Sequence, residues 1–120
     1  MKSNKGGIKS DGRRVSRVEK EVQSIISTYI IQNMQSELPG LVTIGRVQIP
    51  ADLRLAKVYV SILNLNNGTE ESRIDQLNKS ISILQSWAKD IQDEIGKKLK
   101  MKYLPKLTFY ADESMEKILK

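Results

Sequence analysis

From Leu53 to Leu63 the chain reads Leu-Arg-Leu-Ala-Lys-Val-Tyr-Val-Ser-Ile-Leu. Successive side chains of an extended segment point to opposite faces, so Ala56, Val58, Val60 and Ile62 share one side and Lys57, Tyr59 and Ser61 share the other. Val58, Val60 and Ile62 are β-branched, which suits a pleated surface. A strand with one apolar face has to be covered on that face. This segment therefore demands a sheet with helices folded onto one side. A turn at Pro50-Ala51-Asp52 precedes it and a loop, Asn64-Leu65-Asn66-Asn67-Gly68, follows it.

The covering helices are legible on either side. Ser16-Arg17-Val18-Glu19 has capping-box spacing, and Val18, Val22, Ile25, Ile26, Tyr29, Ile30 and Met34 then recur at helical intervals. Leu38-Pro39-Gly40 ends that helix. Leu41 to Ile49 reads as a strand that pairs antiparallel with the first segment, and Gly45 within it marks a bulge or a close backbone approach. After the loop, Thr69 can cap and Glu70 and Glu71 suit a first turn. Ile74, Leu77, Ile81, Leu84, Ala88, Ile91 and Ile95 then alternate spacings of three and four, widened by Ile83, Trp87 and Leu99.

Unbroken, that helix would be ~45 Å long, which is excessive in a chain of 120 residues. A bend near Trp87-Ala88-Lys89 is preferred to a coiled coil, because Ile83 and Trp87 lie beside the seam rather than on it. Lys102 to Tyr110 completes the fold as a final strand, with Pro105 at its start or edge. The tail from Ser114 to Lys120 suits one short helical turn. The expected layout is a basic, glycine-containing flexible arm at 1–12, one folded domain at 13–115 and a short tail at 116–120.

Cysteine and histidine are both absent. That removes disulfides, thiolate chemistry, the usual zinc ligands and the commonest general base. No glycine-rich phosphate loop occurs. Asp90, Asp93 and Glu94, and Asp112 and Glu113, are carboxylates of the kind found on solvated faces, so a hydrolase using Asp90 or Asp93 is a remote reading. No enzyme, cofactor, metal or small-molecule substrate is expected. No apolar run approaches the ~20 residues that span a bilayer, and no signal peptide is evident, so the cytoplasm is the expected compartment.

Charge says more. The net charge is +6, but residues 1–20 alone carry Lys2, Lys5, Lys9, Arg13, Arg14, Arg17 and Lys20 against Asp11 and Glu19. Lys97, Lys98, Lys100, Lys102 and Lys106 form a second run without an acid, and the rest of the chain is mildly acidic. Two concentrated basic segments favour a polyanion, most simply nucleic acid; ordinary solubilising lysine is the bland alternative. The end of the long helix also welcomes cations for its own dipole. A second functional class is a protein–protein module that uses the apolar stripe 74–95. Phe109 and Tyr110 are adjacent and face opposite ways, so the stacking strand of an RRM is missing, and no Gly-X-X-Gly clamp lies between Gly68 and Gly96.

Three stretches carry a resemblance to the ribosome-binding factor A family: Arg17-Val18; Asp52-Leu53-Arg54-Leu55-Ala56-Lys57-Val58-Tyr59-Val60-Ser61; and Leu104-Pro105-Lys106-Leu107-Thr108-Phe109-Tyr110 with Asp112 and Ser114. The resemblance implies an α+β, type II KH-like fold with a kinked second helix, α-β-β-α-α-β, whose mixed three-stranded sheet packs against helices. It implies a monomeric, non-catalytic factor that binds immature 30S subunits near the 5′ helix of 16S rRNA, aids late maturation and rRNA processing, and supports growth in the cold. By position, Arg17, Arg54 and Lys57 match basic sites of the family. Lys97, Lys98, Lys100 and Lys102 match its basic tendency there. With Arg13, Arg14 and Lys20 these are the candidate RNA contacts. The family bends its long helix at a small residue, whereas here Trp87 takes that place and Ala88 follows.

Overall fold

The computed structural model describes residues 2–50, 54–63, 69–101 and 103–112, with side chains from residue 15 onward. The elements are α1 (Lys2–Asn33), a 3₁₀ turn (Gln35–Glu37), β1 (Leu41–Gln48), β2 (Leu55–Leu63), α2 (Glu70–Ser86), α3 (Ala88–Lys98) and β3 (Lys106–Ala111). The sheet order is β1-β2-β3. β1 is antiparallel and β3 parallel to the central strand, so the sheet is mixed as expected. A parallel neighbour requires a crossover, and α2 with α3 provides it.

Central β2 obeys the alternation of its sequence. Ala56, Val58 and Val60 are fully buried and Ile62 nearly so. β1 starts in the same phase, with Val42 and Ile44 inward, but resumes at Val47 and Ile49. The register slips between Ile44 and Arg46, so Gly45 is a bulge. It is also a close approach, because a Cβ there would strike the Asp112 carboxylate. Asp112 is anchored just past β3, its backbone N–H donating to the Val60 carbonyl at 2.7 Å. The bulge is thus as expected, while the close neighbour is a side chain and not a second backbone.

On α1, Val22, Ile26, Ile30 and Met34 are buried, one every turn, and Val18, Ile25 and Tyr29 flank them half-buried. Its helical backbone begins at Lys2, not at the Ser16 capping box. Extending an existing helix by a residue fixes one pair of dihedrals per hydrogen bond, so a packed downstream segment can carry helix upstream of a local start signal. Leu38 leaves the helical region at φ −96° and ψ 142°, as a residue preceding proline must.

The long apolar stripe is used inside the chain. Leu77, Leu84, Ile91 and Ile95 are buried against its own sheet, while Ile74, at the stripe's start, is exposed. A module that offers this stripe to another chain is thus disfavoured. Ser80 is also fully buried, its hydroxyl satisfied by donation to the Gln76 carbonyl at 2.8 Å. Thr69 caps α2 as expected, accepting from the Ser72 N–H at 3.0 Å. The bend falls on Trp87, which takes φ −97° and ψ 5°. Its N–H is shared between the Ile83 and Leu84 carbonyls, and its own carbonyl accepts from Ile91. Hydrogen bonding thus continues through a single residue outside the helical well. The indole packs edge-on to Tyr29 of α1, with centroids 6.2 Å apart. A large residue fits at the bend because its ring fills the contact between α1 and α3.

β3 is shorter than expected, beginning at Lys106, because Pro105 has no N–H to give to a ladder. Phe109 is buried and Tyr110 exposed, on opposite faces. The expected turn at Ser114–Lys120, the 64–68 loop and most of the 50–52 turn lie outside the described residues.

Both edges of the sheet are closed by side chains from the helices. On β3, Gln85 donates to the Leu107 carbonyl at 3.1 Å and accepts from the Phe109 N–H at 3.1 Å, taking the place of a fourth strand. On β1, Gln23 donates to the Ile44 carbonyl at 3.0 Å and Glu19 accepts from the Ile49 N–H at 2.7 Å. Exposed edges invite pairing with other chains, and these amides and carboxylate occupy them. Gln85→Ala strands two half-buried backbone groups. It is expected to cost about 1–2 kcal/mol in urea unfolding, and an unchanged midpoint would refute this role for Gln85.

Candidate nucleic-acid interface

Topology gathers the basic residues. At one end of the sheet lie the end of β1 and the starts of β2 and β3, as the pairs Gln48↔Lys57 and Leu55↔Lys106 require. Glu19 reaches Ile49 there, so Arg17 and Lys20, both exposed on α1, belong to the same end. Arg54 is exposed at the entrance to β2, and its carbonyl accepts from the Lys106 N–H at 2.9 Å. α3 delivers the chain to β3, with Gln92 donating to the Pro105 carbonyl at 2.9 Å. The exposed Lys97, Lys98 and Lys100 follow from the end of that helix. Three stretches distant in sequence thus place cations around one pole.

The opposite pole is acidic. Leu41↔Leu63 marks that end of the sheet. Glu37, which precedes β1, and Glu70, Glu71 and Asp75 at the start of α2 are all exposed. Arg73 pairs there with Glu70 at 3.0 Å. A cleft whose lining includes Glu71, Asp75 and Lys79 lies at this pole, at the other end of the sheet from Lys57 and Lys106. Part of the acidic remainder thus gathers at the pole opposite the candidate cations, while Glu19, Asp90, Asp93 and Glu94 lie on the helices that carry them. Such a charge distribution orients a polyanion before contact.

Within the basic pole the candidates differ. Lys97 and Lys98 sit in the last turn of α3, where the helix dipole favours cations. Lys98 also lies 3.6 Å from Glu94, which is half-buried, in a pair open to solvent on the lysine side. Lys57 is half-buried on β2, the others named being more open. The side chains of Arg13 and Arg14, and all of Lys102, lie outside the described residues. Sequence reasoning missed Lys106 and Arg46 as members of an exposed face. The alternation Lys106-Leu107-Thr108-Phe109 carried the signal for Lys106. For Arg46 the bulge at Gly45 hid it, since strict alternation from Val42 would have buried it.

Asp90 and Asp93 are exposed on α3, as a solvated face requires. Burial, and then the Asp90 and Glu94 carboxylates, push the Tyr29 phenol above its ordinary value. It is therefore neutral at physiological pH and serves packing. Among the described residues, no helix is long and apolar enough to cross a membrane. The arrangement suits binding of phosphates by position.

The family profile described as Ribosome-binding factor A matches residues 14–120. Ribosome-binding factor A of Bdellovibrio bacteriovorus is 51% identical over 110 residues, covering 92% of this chain and 76% of the relative. The solution NMR structure of a candidate ribosome-binding factor A from Thermotoga maritima aligns with a TM-score of 0.62 and 32% identity, covering 86% of this chain and 91% of that one. Ribosome-binding factor A of Thermus thermophilus, a homology model fitted into a cryo-EM map of a 30S complex, aligns with a TM-score of 0.59. Its identity is 18%, over 81% of this chain and 93% of that one, so it supports the fold alone.

Proposed function

The chain belongs to the ribosome-binding factor A family, and from that premise we propose that it is an assembly factor of the small ribosomal subunit. It binds immature 30S particles through 16S rRNA, in the region of the 5′ helix, and assists late maturation and rRNA processing without catalysing a reaction. It acts as a monomer in the cytoplasm and supports growth in the cold. Arg13, Arg14, Arg17, Lys20, Arg54, Lys57, Lys97, Lys98, Lys100 and Lys102 are the phosphate contacts. Residues 1–12 extend the contact as a basic arm.

The observation that carries this reading is the collection of cations from α1, the start of β2 and the end of α3 at one pole. Contacts to phosphate position a protein without reading sequence, so specificity comes from the shape of the ribosomal site. The test is co-sedimentation with purified free small subunits across a salt series. If several phosphates are contacted, affinity falls at least about tenfold between low and moderate salt. Binding indifferent to salt would remove the electrostatic reading.

A further inference from the structure

We propose that the helix-free face of the sheet is a stacking platform for unpaired nucleotides of RNA. This deepens the assembly-factor reading and rests on it. The helices cover one face, and the other carries Thr43, Arg46 and Gln48 from β1, Lys57, Tyr59 and Ser61 from β2, and Lys106, Thr108 and Tyr110 from β3. Register aligns these into rows across the strands. One row is Arg46, Tyr59 and Tyr110.

That row is already stacked. The Arg46 guanidinium lies 4.3 Å from the centre of the Tyr59 ring. On the same row, the Tyr110 ring is 5.8 Å from Tyr59, tilted by 30°. Tyr59 is oriented by donation of its hydroxyl to Gln48 Oε1 at 3.2 Å. Tyr110 is 40% exposed and stands on β3, at the edge of the sheet, so one end of the stack is open to a planar partner. Toward the basic pole, the next row holds Lys57 and the row after it holds Lys106. Successive rows on one face are roughly 6–7 Å apart along the strands, so the phosphate of a stacked base falls within reach of the Lys57 ammonium, and Lys106 lies one row farther along the same track. Among the described strand residues of this face the acid is Asp112, just past β3, which is 8% exposed and set against Gly45 beyond the tyrosine row.

Charge and chemistry together select the occupant. Positive groups beside a guanidinium–aromatic stack complement a base with its phosphate, and stacking tolerates any base. Paired bases bury their flat faces in the helix, so the platform takes single strands and the basic pole takes duplex backbone. An RRM places its aromatics on adjacent strands of one face; here Tyr59 and Tyr110 achieve that across β2 and β3 although Phe109 turns inward.

The test uses the full chain, a labelled eight-nucleotide single-stranded RNA of mixed sequence, and a duplex of the same length. Tyr59→Leu with Tyr110→Leu is expected to weaken single-strand binding on the order of tenfold or more and to leave duplex binding nearly unchanged. Tyr59→Phe with Tyr110→Phe keeps both rings and retains the wild-type affinity. Far-UV circular dichroism and thermal melting follow each variant. A leucine variant that melts earlier yet binds the single strand as well as wild type would reduce the pair to a sheet staple and overturn the proposal. So would crosslinks from position 110 to ribosomal protein in place of RNA. Salt-sensitive co-sedimentation with small subunits, combined with no dependence of single-strand binding on the tyrosines, defeats the platform alone. Tyrosine-dependent binding of the single strand with no subunit binding defeats the assembly-factor reading alone.

Discussion

Reversing Lys97, Lys98 and Lys100 to glutamate is expected to weaken binding to small subunits on the order of a hundredfold or more near physiological salt. Each lost phosphate contact lowers the log–log salt slope by about one, so the slope falls by about three. The three residues are exposed at and just after the end of α3. Their reversal therefore removes little packing. It does set an acid against Glu94 one turn away and against the negative end of the helix dipole. Those two effects cost about 1–2 kcal/mol, a minor part of the ~5–15 kcal/mol typical of a domain. The measurement pairs co-sedimentation over a salt series with a thermal melt. An affinity within twofold of wild type, in a protein that remains folded, would move the interface away from this pole.

Leu84→Ala is expected to remove about 3 kcal/mol of stability. Leu84 is fully buried where α2 lies on the sheet, in the cluster that holds Val58, Val60 and Phe109. Truncation loses the transfer free energy of the removed carbons and leaves a cavity, together about 2–5 kcal/mol for Leu to Ala in a core. The neighbours offer little relief, since Ala56, Val58 and Val60 belong to the central strand and are held on both sides. Urea unfolding checks this, with a lower midpoint and an unchanged slope. Ile74→Ala, at an exposed position of the same stripe, serves as the comparison and costs about 0.5 kcal/mol or less. Equal losses at the two positions would mean that the stripe is buried by another chain in solution.

Sequence carried the architecture because the rules involved are local or periodic. The alternation through Ala56, Val58, Val60 and Ile62 oriented β2. The spacing of Val22, Ile26, Ile30 and Met34 oriented α1, and Thr69 set the start of α2. The bend was placed within three residues, and the irregularity at Gly45 was marked by the glycine itself. Boundaries were less legible: α1 begins well before its capping box, and β3 begins after Pro105 where the run of apolar and aromatic residues had suggested Lys102. The candidate cations were legible as two runs of charge, but their meeting at one pole was not, since a run of lysines says nothing of its neighbours in space.

By itself, then, the sequence determined which residues turn inward, what chemistry is excluded for want of cysteine and histidine, and how charge is distributed along the chain. Only the tertiary structure decided that Trp87 is the bend, that Gln85, Gln23 and Glu19 close the edges of the sheet, and that Arg46, Tyr59 and Tyr110 stack on one face. The reason is physical. Periodicity and capping act within a turn or two of chain, whereas each of these contacts joins groups whose proximity exists only after the strands have paired and the helices have docked.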